Sequence, residues 1–292
     1  MFELSNGHKV QFVVASGGLG FDGLGWPWEW PLRWTGLIRP RLFTAATKTL
    51  TLNPDPGYFR WWKPQECFRL IPGGAVNKFG LGNLGLKWWC KKIGPLVNAG
   101  CLPPLIVSIW GDEEELRQMA RALNEFDLEA LEVNVSCPNR APLSVREAVS
   151  RVLTVKSVSR FPILVKVSVA QDYCGIASKL RGIAEGISLN SVPWEIAFPD
   201  ERSPLWRLQE RVGGGGGGVS GLPAQKFNWH AVRQLAKLNA MSVIAPSIME
   251  YADLAKVDAL KADAYSFGVI HVRTPWQPTQ IALRWLAEHQ QL

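Results

Sequence analysis

A single thiol stands between two carboxamide side chains in the stretch 134–139, which reads Asn-Val-Ser-Cys-Pro-Asn. The preceding run, residues 130–135, alternates apolar and polar positions, and Pro138 removes a backbone donor. We therefore predict a buried strand that stops at Cys137. A thiol at a strand end can move a proton, and asparagine offers both a donor and an acceptor to a planar amide or imide. The alternative is that Cys137 is an inert buried side chain.

Eight short apolar runs rich in β-branched residues predict eight strands. They span residues 10–15, 42–47, 105–109, 130–135, 163–167, 186–189, 241–245 and 264–267. Helix-like stretches lie between most of them and after the last one. They span residues 113–126, 144–157, 175–185, 228–238, 250–261 and 279–290. Asp112, Ser144 and Asn228 are predicted N-caps. Because strands that alternate with helices form a parallel sheet, the pattern predicts an α/β fold: a (β/α)₈ TIM barrel, one domain with inserted loops over residues 1–292.

Polar residues follow most of the predicted strands, and a closed barrel would bring them to one face, where such barrels hold their active sites. They are Ser16-Gly17, Lys48-Thr49, Ser108, Asn134 with Cys137 and Asn139, Lys166-Val167-Ser168, Asn190-Ser191, Pro246-Ser247 and Gly268-Val269. Lys48 and Lys166 fall within otherwise apolar runs and are costly to bury unless a negative or electron-rich partner meets them. A structural ion pair is the alternative to a functional role.

Two glycine-rich segments interrupt the pattern. Residues 73–85 contain too much glycine for a helix, and we predict a loop whose backbone approaches a ligand closely. Residues 213–218 are six consecutive glycines that lead into Val-Ser-Gly at 219–221. We interpret most of this run as a flexible linker and its last residues as a turn that offers backbone donors to a phosphate.

Composition limits the class of protein. The chain has 292 residues and 47% hydrophobic content, enough for a substantial core. Its 32 Lys and Arg exceed its 25 Asp and Glu, but they are scattered, which does not favour nucleic acid as a partner. Five cysteines without a Cys-x-x-Cys pair indicate neither a disulfide framework nor an iron-sulfur site. The N-terminus lacks the features of a secretion signal, and no apolar run reaches the roughly 20 residues that span a bilayer. We expect a cytoplasmic protein, at most peripheral to a membrane.

Tryptophan is unusually frequent, with 14 residues, eight of which cluster at 26–34, 61–62 and 88–89. Residues 26–31 are too proline-broken for a regular helix, so their indoles could line a lid, a partner interface or a membrane-surface patch. Ordinary packing around the first helix is the alternative. Because arginines lie nearby, a peripheral membrane or quinone contact is one hypothesis. These arginines are Arg33, Arg39 and Arg41.

Seven motifs, in this order, resemble the dihydroorotate dehydrogenase family over nearly the whole chain. They are Ala15-Ser16-Gly17, Thr47-Lys48-Thr49, Asn77-x-x-Gly80-Leu81-x-Asn83-x-Gly85, Asn134-x-Ser136-Cys137-Pro138-Asn139, Val165-Lys166-Val167, Asn190-Ser191 and Gly217-Gly218-Val219-Ser220-Gly221. The family consists of FMN-dependent barrels that oxidise dihydroorotate to orotate in pyrimidine biosynthesis. A cysteine at position 137 resembles the soluble class 1 type, and the resemblance also implies a homodimer.

The resemblance implies a role for each matching position. Cys137 would take a proton from C5 of dihydroorotate while a hydride passes from C6 to flavin N5, and Lys48 would lie between substrate and flavin. Lys166 would stabilise the negative charge of the reduced flavin. The implied substrate contacts are Asn77, Asn134, Asn139, Asn190 and Ser191. The implied flavin contacts are Ala15, Ser16, Gly17, Lys48, Thr49, Asn134, Lys166, Gly221, Gly268 and Val269.

The chain also departs from the family pattern. The seventh strand of the family ends in a Gly-Gly pair whose amides hold the FMN phosphate, whereas residues 245–248 read Ala-Pro-Ser-Ile. Pro246 cannot donate, so the hydroxyl or amide of Ser247 would have to replace that contact. Two alternatives follow: a related flavin barrel that acts on another pyrimidine or uracil ring, and a paralogue that serves as a binding subunit. The electron acceptor could be fumarate, a nicotinamide-linked partner subunit or a quinone.

Overall fold

The computed structural model describes residues 1–60, 62–136 and 143–289. This part of the chain contains fourteen strands and twelve α-helices, with short 3₁₀ helices at Pro27–Glu29, Pro40–Leu42 and Pro64–Glu66. The strands are β1 (Phe2–Glu3), β2 (Lys9–Val10), β3 (Phe12–Val14), β4 (Thr44–Ala46), β5 (Phe68–Ile71), β6 (Gly74–Asn77), β7 (Leu105–Ile109), β8 (Ala130–Asn134), β9 (Ile163–Val167), β10 (Gly186–Leu189), β11 (Val192–Pro193), β12 (Gly218–Gly221), β13 (Ser242–Ala245) and β14 (Ala264–Phe267). The helices are α1 (Trp30–Trp34), α2 (Gly85–Lys92), α3 (Gly94–Asn98), α4 (Glu113–Leu123), α5 (Val145–Lys156), α6 (Tyr173–Lys179), α7 (Trp194–Ala197), α8 (Trp206–Val212), α9 (Leu222–Leu238), α10 (Ala252–Asp258), α11 (Ile270–Arg273) and α12 (Gln277–His289).

Eight parallel strands close into a barrel in the order β3-β4-β7-β8-β9-β10-β13-β14, with β14 paired to β3. The predicted (β/α)₈ barrel is therefore confirmed. Four strands have the predicted bounds, and the other four differ by one or two residues at an end. Helix bounds were less accurate. The predicted N-cap at Asn228 is wrong, because α9 begins six residues earlier with Pro223 in its first turn, where the missing N–H costs nothing.

Two predicted N-caps are confirmed by their hydrogen bonds. Asp112 accepts from the backbone N–H of Glu115, and the Glu115 side chain accepts from the backbone N–H of Asp112. Ser144 and Glu147 make the same reciprocal pair at the start of α5. These capping boxes satisfy amides that the first helical turn leaves unpaired. They fix where α4 and α5 begin, directly after the barrel loops that follow β7 and β8.

The barrel interior is layered, because every second side chain of each strand points inward. The lower layer is apolar and packs against the hairpin β1–β2 through Leu4 and Val10. It comprises Val13, Ala46, Ile106, Ala130, Leu164, Ile244 and Ala264. The next inward positions toward the C-terminal strand ends are polar and buried. They are Ser108, Glu132, Lys166, Ser188 and Ser266. The interior therefore changes from apolar to polar in the direction of the barrel mouth.

A second sheet, antiparallel and four-stranded, has the order β11-β12-β6-β5. The prediction of a loop over residues 73–85 is wrong for the first part of that segment, because Gly74–Asn77 is strand β6, paired with β5 and β12. Glycine is required here by close packing: a Cβ at Gly74 would lie 2.1 Å from the carbonyl oxygen of Ser220. The sheet connects the segment after β4 with the segment after β10.

Candidate active site

Polar side chains at the C-terminal ends of β3, β4, β7 and β8 form one hydrogen-bonded group. The Thr49 hydroxyl lies 3.0 Å from the hydroxyl of Ser108 and 3.3 Å from that of Ser16. Asn134 Nδ2 donates to Thr49 Oγ1 at 3.2 Å. The Ser16 hydroxyl also donates to the carbonyl oxygen of Thr47 at 2.8 Å. The structure thus brings together four residues that the sequence placed at this face, namely Ser16, Thr49, Ser108 and Asn134.

The group continues to the end of β10 through a serine that the sequence analysis did not assign. Asn134 Oδ1 accepts from the Ser136 hydroxyl at 2.8 Å and from its backbone N–H at 3.1 Å. Asn190 Nδ2 donates to Ser136 Oγ at 2.9 Å, and Asn190 Oδ1 accepts from the backbone N–H of Ser191 at 2.8 Å. Ser136 therefore bridges two asparagines that were predicted to contact substrate. Its position between Asn134 and the following cysteine was the available signal.

Asn77 reaches the same region from the antiparallel sheet. It lies opposite Gly218 in the β6–β12 pairing and donates through Nδ2 to the Gly218 carbonyl oxygen at 3.4 Å. A Cβ at Gly218 would lie 2.1 Å from Ser191 Oγ, and a Cβ at Gly217 would lie 2.8 Å from the Asn77 carbonyl oxygen. Glycine at these two positions therefore allows β12 to approach both Asn77 and Ser191.

The six-glycine run is held in place by a buried lysine. Lys78 Nζ donates to the carbonyl oxygens of Gly213 and Gly215 at 2.5 and 2.7 Å. Glu195 accepts from the backbone N–H of Gly216. Burial lowers the pKa of Lys78, and the charge of Glu195 partly offsets this. The interpretation of this run as a flexible linker is therefore wrong, because the buried ammonium of Lys78 and the carboxylate of Glu195 hydrogen-bond to its backbone. Sequence reasoning missed Lys78 and Glu195, since neither stands at a barrel-strand end.

Lys48 lies beside Gly17, another of the predicted flavin contacts. Gly17 has a φ of +85°, and a Cβ there would lie 3.7 Å from the Cβ of Lys48. Burial lowers the pKa of Lys48, while the negative charge of Asp55 opposes this effect. A partly desolvated ammonium at the barrel mouth favours an anionic or electron-rich ligand, because such a ligand restores the interactions that water would provide.

Lys166 forms the ion pair that was considered as the alternative to a functional role. Its Nζ lies 2.5 Å from Glu132 Oε1, and both side chains are buried. The Ser188 hydroxyl donates to the other carboxylate oxygen of Glu132 at 2.8 Å. Neither Glu132 nor Ser188 was assigned a role from the sequence. Both occupy inward positions two residues before a predicted substrate contact, so the two-residue strand period could have found them.

The remaining predicted flavin contacts lie around the ends of β12, β13 and β14. A Cβ at Gly268 would lie 3.6 Å from the Cβ of Ala15, and a Cβ at Gly221 would lie 3.2 Å from Val269 Cγ1 and 2.5 Å from the Gly73 carbonyl oxygen. Gly221 has a φ of +93° and precedes the 17-residue helix α9. These positions therefore form two close pairs, Ala15 with Gly268 and Gly221 with Val269.

Ser247 follows β13 at the position where the chain departs from the family pattern. Its φ of +66° lies in the left-handed region that glycine adopts most easily, so the backbone turn is kept although the glycine is not. Ser247 Oγ accepts from Asn228 Nδ2 at 3.1 Å, which leaves its hydroxyl hydrogen able to donate elsewhere. This arrangement, with the close glycine pairs and the two lysines, would suit a flavin mononucleotide.

Cys137 and Asn139 lie outside the described residues. The chain that leads to them is fixed, because Gln171 Nε2 donates to the Val135 carbonyl oxygen at 2.9 Å. Among the described thiols, Cys67 interacts electrostatically with Lys48. Burial raises the pKa of Cys67 to about 11, so this thiol is not a candidate base at neutral pH.

The tryptophans divide between core and surface. Trp89 is fully buried and donates through Nε1 to the Phe21 carbonyl oxygen at 2.9 Å. Trp28 and Trp34 are 71% and 81% exposed. Trp26 stacks on Trp28 with ring centroids 5.3 Å apart, and its Nε1 donates to the Gly17 carbonyl oxygen at 3.2 Å. Ordinary packing therefore explains Trp89 but not the exposed indoles, which are connected through Trp26 to the barrel mouth.

Within residues 1–60, 62–136 and 143–289, no helix has the length and apolar character needed to cross a bilayer. The same residues contain no group of three or more His, Cys, Asp or Glu side chains that could hold a metal ion.

A closed parallel barrel with its polar residues gathered at the C-terminal strand ends is the arrangement of (β/α)₈-barrel enzymes. The sequence model of the dihydroorotate dehydrogenase family matches residues 39–248. The chain therefore belongs to the dihydroorotate dehydrogenase family.

Individual relatives agree with this assignment. The chain is 32% identical over 234 residues to the dihydroorotate dehydrogenase B (NAD(+)) catalytic subunit of Saccharolobus solfataricus, which covers 77% of this chain and 74% of the relative. It is 28% identical to the protein of the same name from Desulforamulus reducens, over 82% of this chain and 79% of the relative. An Aeropyrum pernix protein, provisionally named dihydroorotate dehydrogenase A (fumarate), is 30% identical over 65% of this chain and 61% of its own length.

Proposed function

We propose that this protein oxidises (S)-dihydroorotate to orotate with FMN as its cofactor, in de novo pyrimidine biosynthesis, and that residues 1–292 form one FMN-binding domain. The observation that carries the proposal is the continuous polar network at the barrel mouth. It joins five predicted site residues, namely Ser16, Thr49, Asn134, Asn190 and Ser191. Membership of the family supports the same activity.

The asparagine side chains suit a dihydropyrimidine, because each presents a donor and an acceptor in one plane. We assign Asn77, Asn134, Asn190 and Ser191 to the ring amides and the carboxylate, together with Asn139. Hydrogen bonds within the network fix the amide of Asn134, which is only 6% exposed. A fixed amide loses little freedom when substrate binds, so the site is preorganised.

In the reaction the C5–H bond of dihydroorotate breaks and its proton goes to Cys137. The C6–H bond also breaks, and a C5=C6 double bond forms in orotate. When bound, FMN would supply the two-electron acceptor for the hydride that leaves C6. Cys137 must be deprotonated to act as the base, and a free thiol has a pKa near 8.5, so the positive charge of Lys48 would favour the thiolate. A positioned base is worth about 10² to 10⁴ in rate.

The flavin contacts that we assign are those of the two close glycine pairs, the two lysines and the network. They are Ala15, Ser16, Gly17, Lys48, Thr49, Asn134, Lys166, Gly221, Ser247, Gly268 and Val269. The Ser247 hydroxyl is the group that we assign to the phosphate in place of the amide that Pro246 lacks.

The proposal also covers the electron acceptor that reoxidises the protein, and the partner subunit. Two of the relatives are named as the catalytic subunit of an NAD(+)-dependent enzyme. We propose that this cytoplasmic protein passes electrons to a nicotinamide-linked partner subunit, with fumarate and quinone as the alternatives, and that it forms a homodimer. Anaerobically reduced protein mixed with fumarate or with a soluble quinone separates these acceptors, because only the correct one restores the flavin absorbance rapidly.

The exposed indoles of residues 26–34 support a peripheral contact with an anionic membrane surface. Trp28, Trp30 and Trp34 are exposed, whereas Glu29 is buried and accepts from the backbone N–H of Trp26. The segment therefore presents aromatic side chains without its carboxylate, and arginines follow it. Co-sedimentation with phosphatidylserine vesicles should fall when Trp28 and Trp30 are changed to serine. The matched control is Trp276→Ser, at an indole that is 39% exposed. Equal co-sedimentation of all three proteins would reject the contact.

The activity has a direct test. Purified protein should be yellow, and anaerobic dihydroorotate should bleach its flavin absorbance in proportion to the orotate formed. A protein that binds FMN but is bleached only by another dihydropyrimidine would point to the related flavin barrel. A protein that cannot be loaded with FMN would point to a binding subunit.

A further inference from the structure

A buried carboxylate and a buried ammonium face each other inside the barrel. Lys166 Nζ lies 2.5 Å from Glu132 Oε1, and the two side chains are 6% and 4% exposed. Ser188 donates to the second carboxylate oxygen of Glu132 at 2.8 Å. Each oxygen of Glu132 therefore has its own donor, and the carboxylate is held in one orientation.

The Glu132–Lys166 pair lies in the polar layer of the barrel interior, just below the barrel mouth. Asn134 follows Glu132 by two residues on β8, and it is the register partner of Lys166 on β9. On β10, Asn190 follows Ser188 by two residues and joins Asn134 through Ser136. The ion pair is therefore adjacent to Asn134 and Asn190, and its lysine is itself one of the side chains that we assign to flavin.

Stability does not account for such a pair. Removing two charges from water is costly, and replacing a buried ion pair with apolar residues of similar volume is often neutral or stabilising. The apolar layer just below shows that the barrel accepts such residues at the corresponding inward positions, for example Ala130 and Leu164. A pair retained at the polar layer therefore points to electrostatic control of what binds above it.

We infer that Glu132 is a positioning residue for the flavin: it fixes the ammonium of Lys166 and limits the positive charge that the site offers. This inference rests on the proposed FMN site. Reduction of a flavin adds negative charge to its ring, and an unbalanced cation nearby stabilises that charge. Glu132 cancels part of the field of Lys166 and so keeps the reduction potential lower than Lys166 alone would set it.

The test is the midpoint potential of the FMN-loaded protein, measured without substrate by equilibration with a reference dye. Glu132→Gln removes the charge and keeps the shape and an acceptor. We expect at least a tenfold shift toward reduced flavin at a fixed ambient potential, which is about 30 mV for a two-electron couple. Glu132→Asp keeps the charge and should recover most of the wild-type value. Ser266→Ala, in the same buried layer on β14, is the matched control and should change the ratio less than twofold.

A double variant, Glu132→Gln with Lys166→Met, keeps the inference testable if Glu132→Gln alone folds poorly, because it leaves no unpaired charge and can be compared with wild type directly. Its potential should not exceed the wild-type value, because the cation is lost together with the charge that balances it. If Glu132 acts through Lys166, adding Glu132→Gln to Lys166→Met should leave the potential of the Lys166→Met protein unchanged. An unchanged potential in Glu132→Gln, or an equal shift in both backgrounds, would overturn the inference.

The measurement of the midpoint potential can be interpreted independently of the activity test. FMN affinity and potential are read without dihydroorotate, so the shift stands or falls whether or not that substrate bleaches the flavin. A protein that cannot be loaded with FMN would overturn both the inference and the proposed function.

Discussion

A buried histidine next to two predicted flavin-binding segments makes the protein sensitive to acid. His271 lies on α11, immediately after Gly268 and Val269, and a Cβ at Gly18 would lie 3.8 Å from its ring. Both ring nitrogens are buried without a hydrogen-bond partner among the described residues. Burial alone lowers the pKa of His271 from 6.5 to about 3. The folded protein therefore holds this imidazole neutral.

The effect on stability has a definite sign. Above pH 6.5 the imidazole is neutral in both states, and the shift has no effect. Between pH 6.5 and about 3 only the unfolded chain binds the proton, so the free energy of unfolding falls as the pH falls. Each tenfold difference in proton affinity is worth about 1.4 kcal/mol, which gives a loss of about 2 kcal/mol at pH 5 relative to pH 8 and about 4 kcal/mol at pH 3.

The variant that isolates the contribution of His271 to the pH dependence of stability is His271→Leu, because leucine removes the titrating ring and both unpaired nitrogens. Carboxylates also titrate in this range, so the quantity of interest is the difference between wild type and variant. Urea unfolding at pH 8 and pH 5 should show that the variant loses about 2 kcal/mol less than wild type on acidification. At pH 8 the variant should be as stable as wild type within about 1.5 kcal/mol, because leaving polar atoms unpaired costs about as much as the packing change.

The matched control is His230→Gln, on the exposed face of α9. It should show the pH dependence of wild type. Wild-type protein loaded with FMN should also release flavin at pH 5 more readily than the His271→Leu variant, since the ring packs behind the turns that carry Gly18 and Gly268. If wild type and His271→Leu lose the same stability between pH 8 and pH 5, His271 does not carry the buried, neutral state that its surroundings indicate.

Three further predictions follow from the site. Cys137→Ser should keep FMN but lose most of the rate of anaerobic flavin reduction at pH 7, and the rate should recover as the pH rises. Cys101→Ser should match wild type in the same stopped-flow assay. A wild-type rate for the Cys137→Ser protein at pH 7 would reject Cys137 as the base. Lys78→Met should destabilise by about 2–4 kcal/mol and increase hydrogen exchange at residues 213–218, and exposed Lys92→Met should do neither. Ser247→Ala should lower the free energy of unfolding by about 1–2 kcal/mol, because it removes the acceptor of the buried Asn228 amide, and unchanged stability in urea unfolding would contradict that hydrogen bond.

The barrel was predictable because its strands carry strong local signals. β7, β9, β10 and β14 are short runs bounded by turn residues, and their predicted bounds match those observed. Asn134 and Asn190 were predictable as site residues for the same reason, since the carboxyl ends of parallel strands meet at one face. Local sequence is sufficient for such features because each depends on residues that are adjacent in the chain.

The features that the sequence did not predict depend on contacts between distant segments. Nothing near Gly213 indicates that Lys78, 135 residues away, holds its carbonyl oxygen. Asn228 resembles an N-cap locally, but Pro223 begins the helix earlier and Asn228 instead donates to Ser247 across the loop after β13. Glu132 is one polar position in a strand by sequence, and only the side-chain ion pair across to Lys166 on the neighbouring strand reveals its partner.

The six-glycine run at 213–218 resembles a flexible linker in sequence, but it is closely packed in the structure. Gly213 and Gly214 have φ values of +75° and +71°, which a side chain would strain. A Cβ at Gly216 would lie 2.7 Å from the Cβ of Ser203, and one at Gly218 would lie 2.1 Å from Ser191 Oγ. At the start of the run, glycine is required by the positive φ values. At the end of the run, glycine is required because there is no space for a Cβ. The run therefore belongs to the wall that holds Ser191 at the barrel mouth, and its composition follows from close packing and not from flexibility.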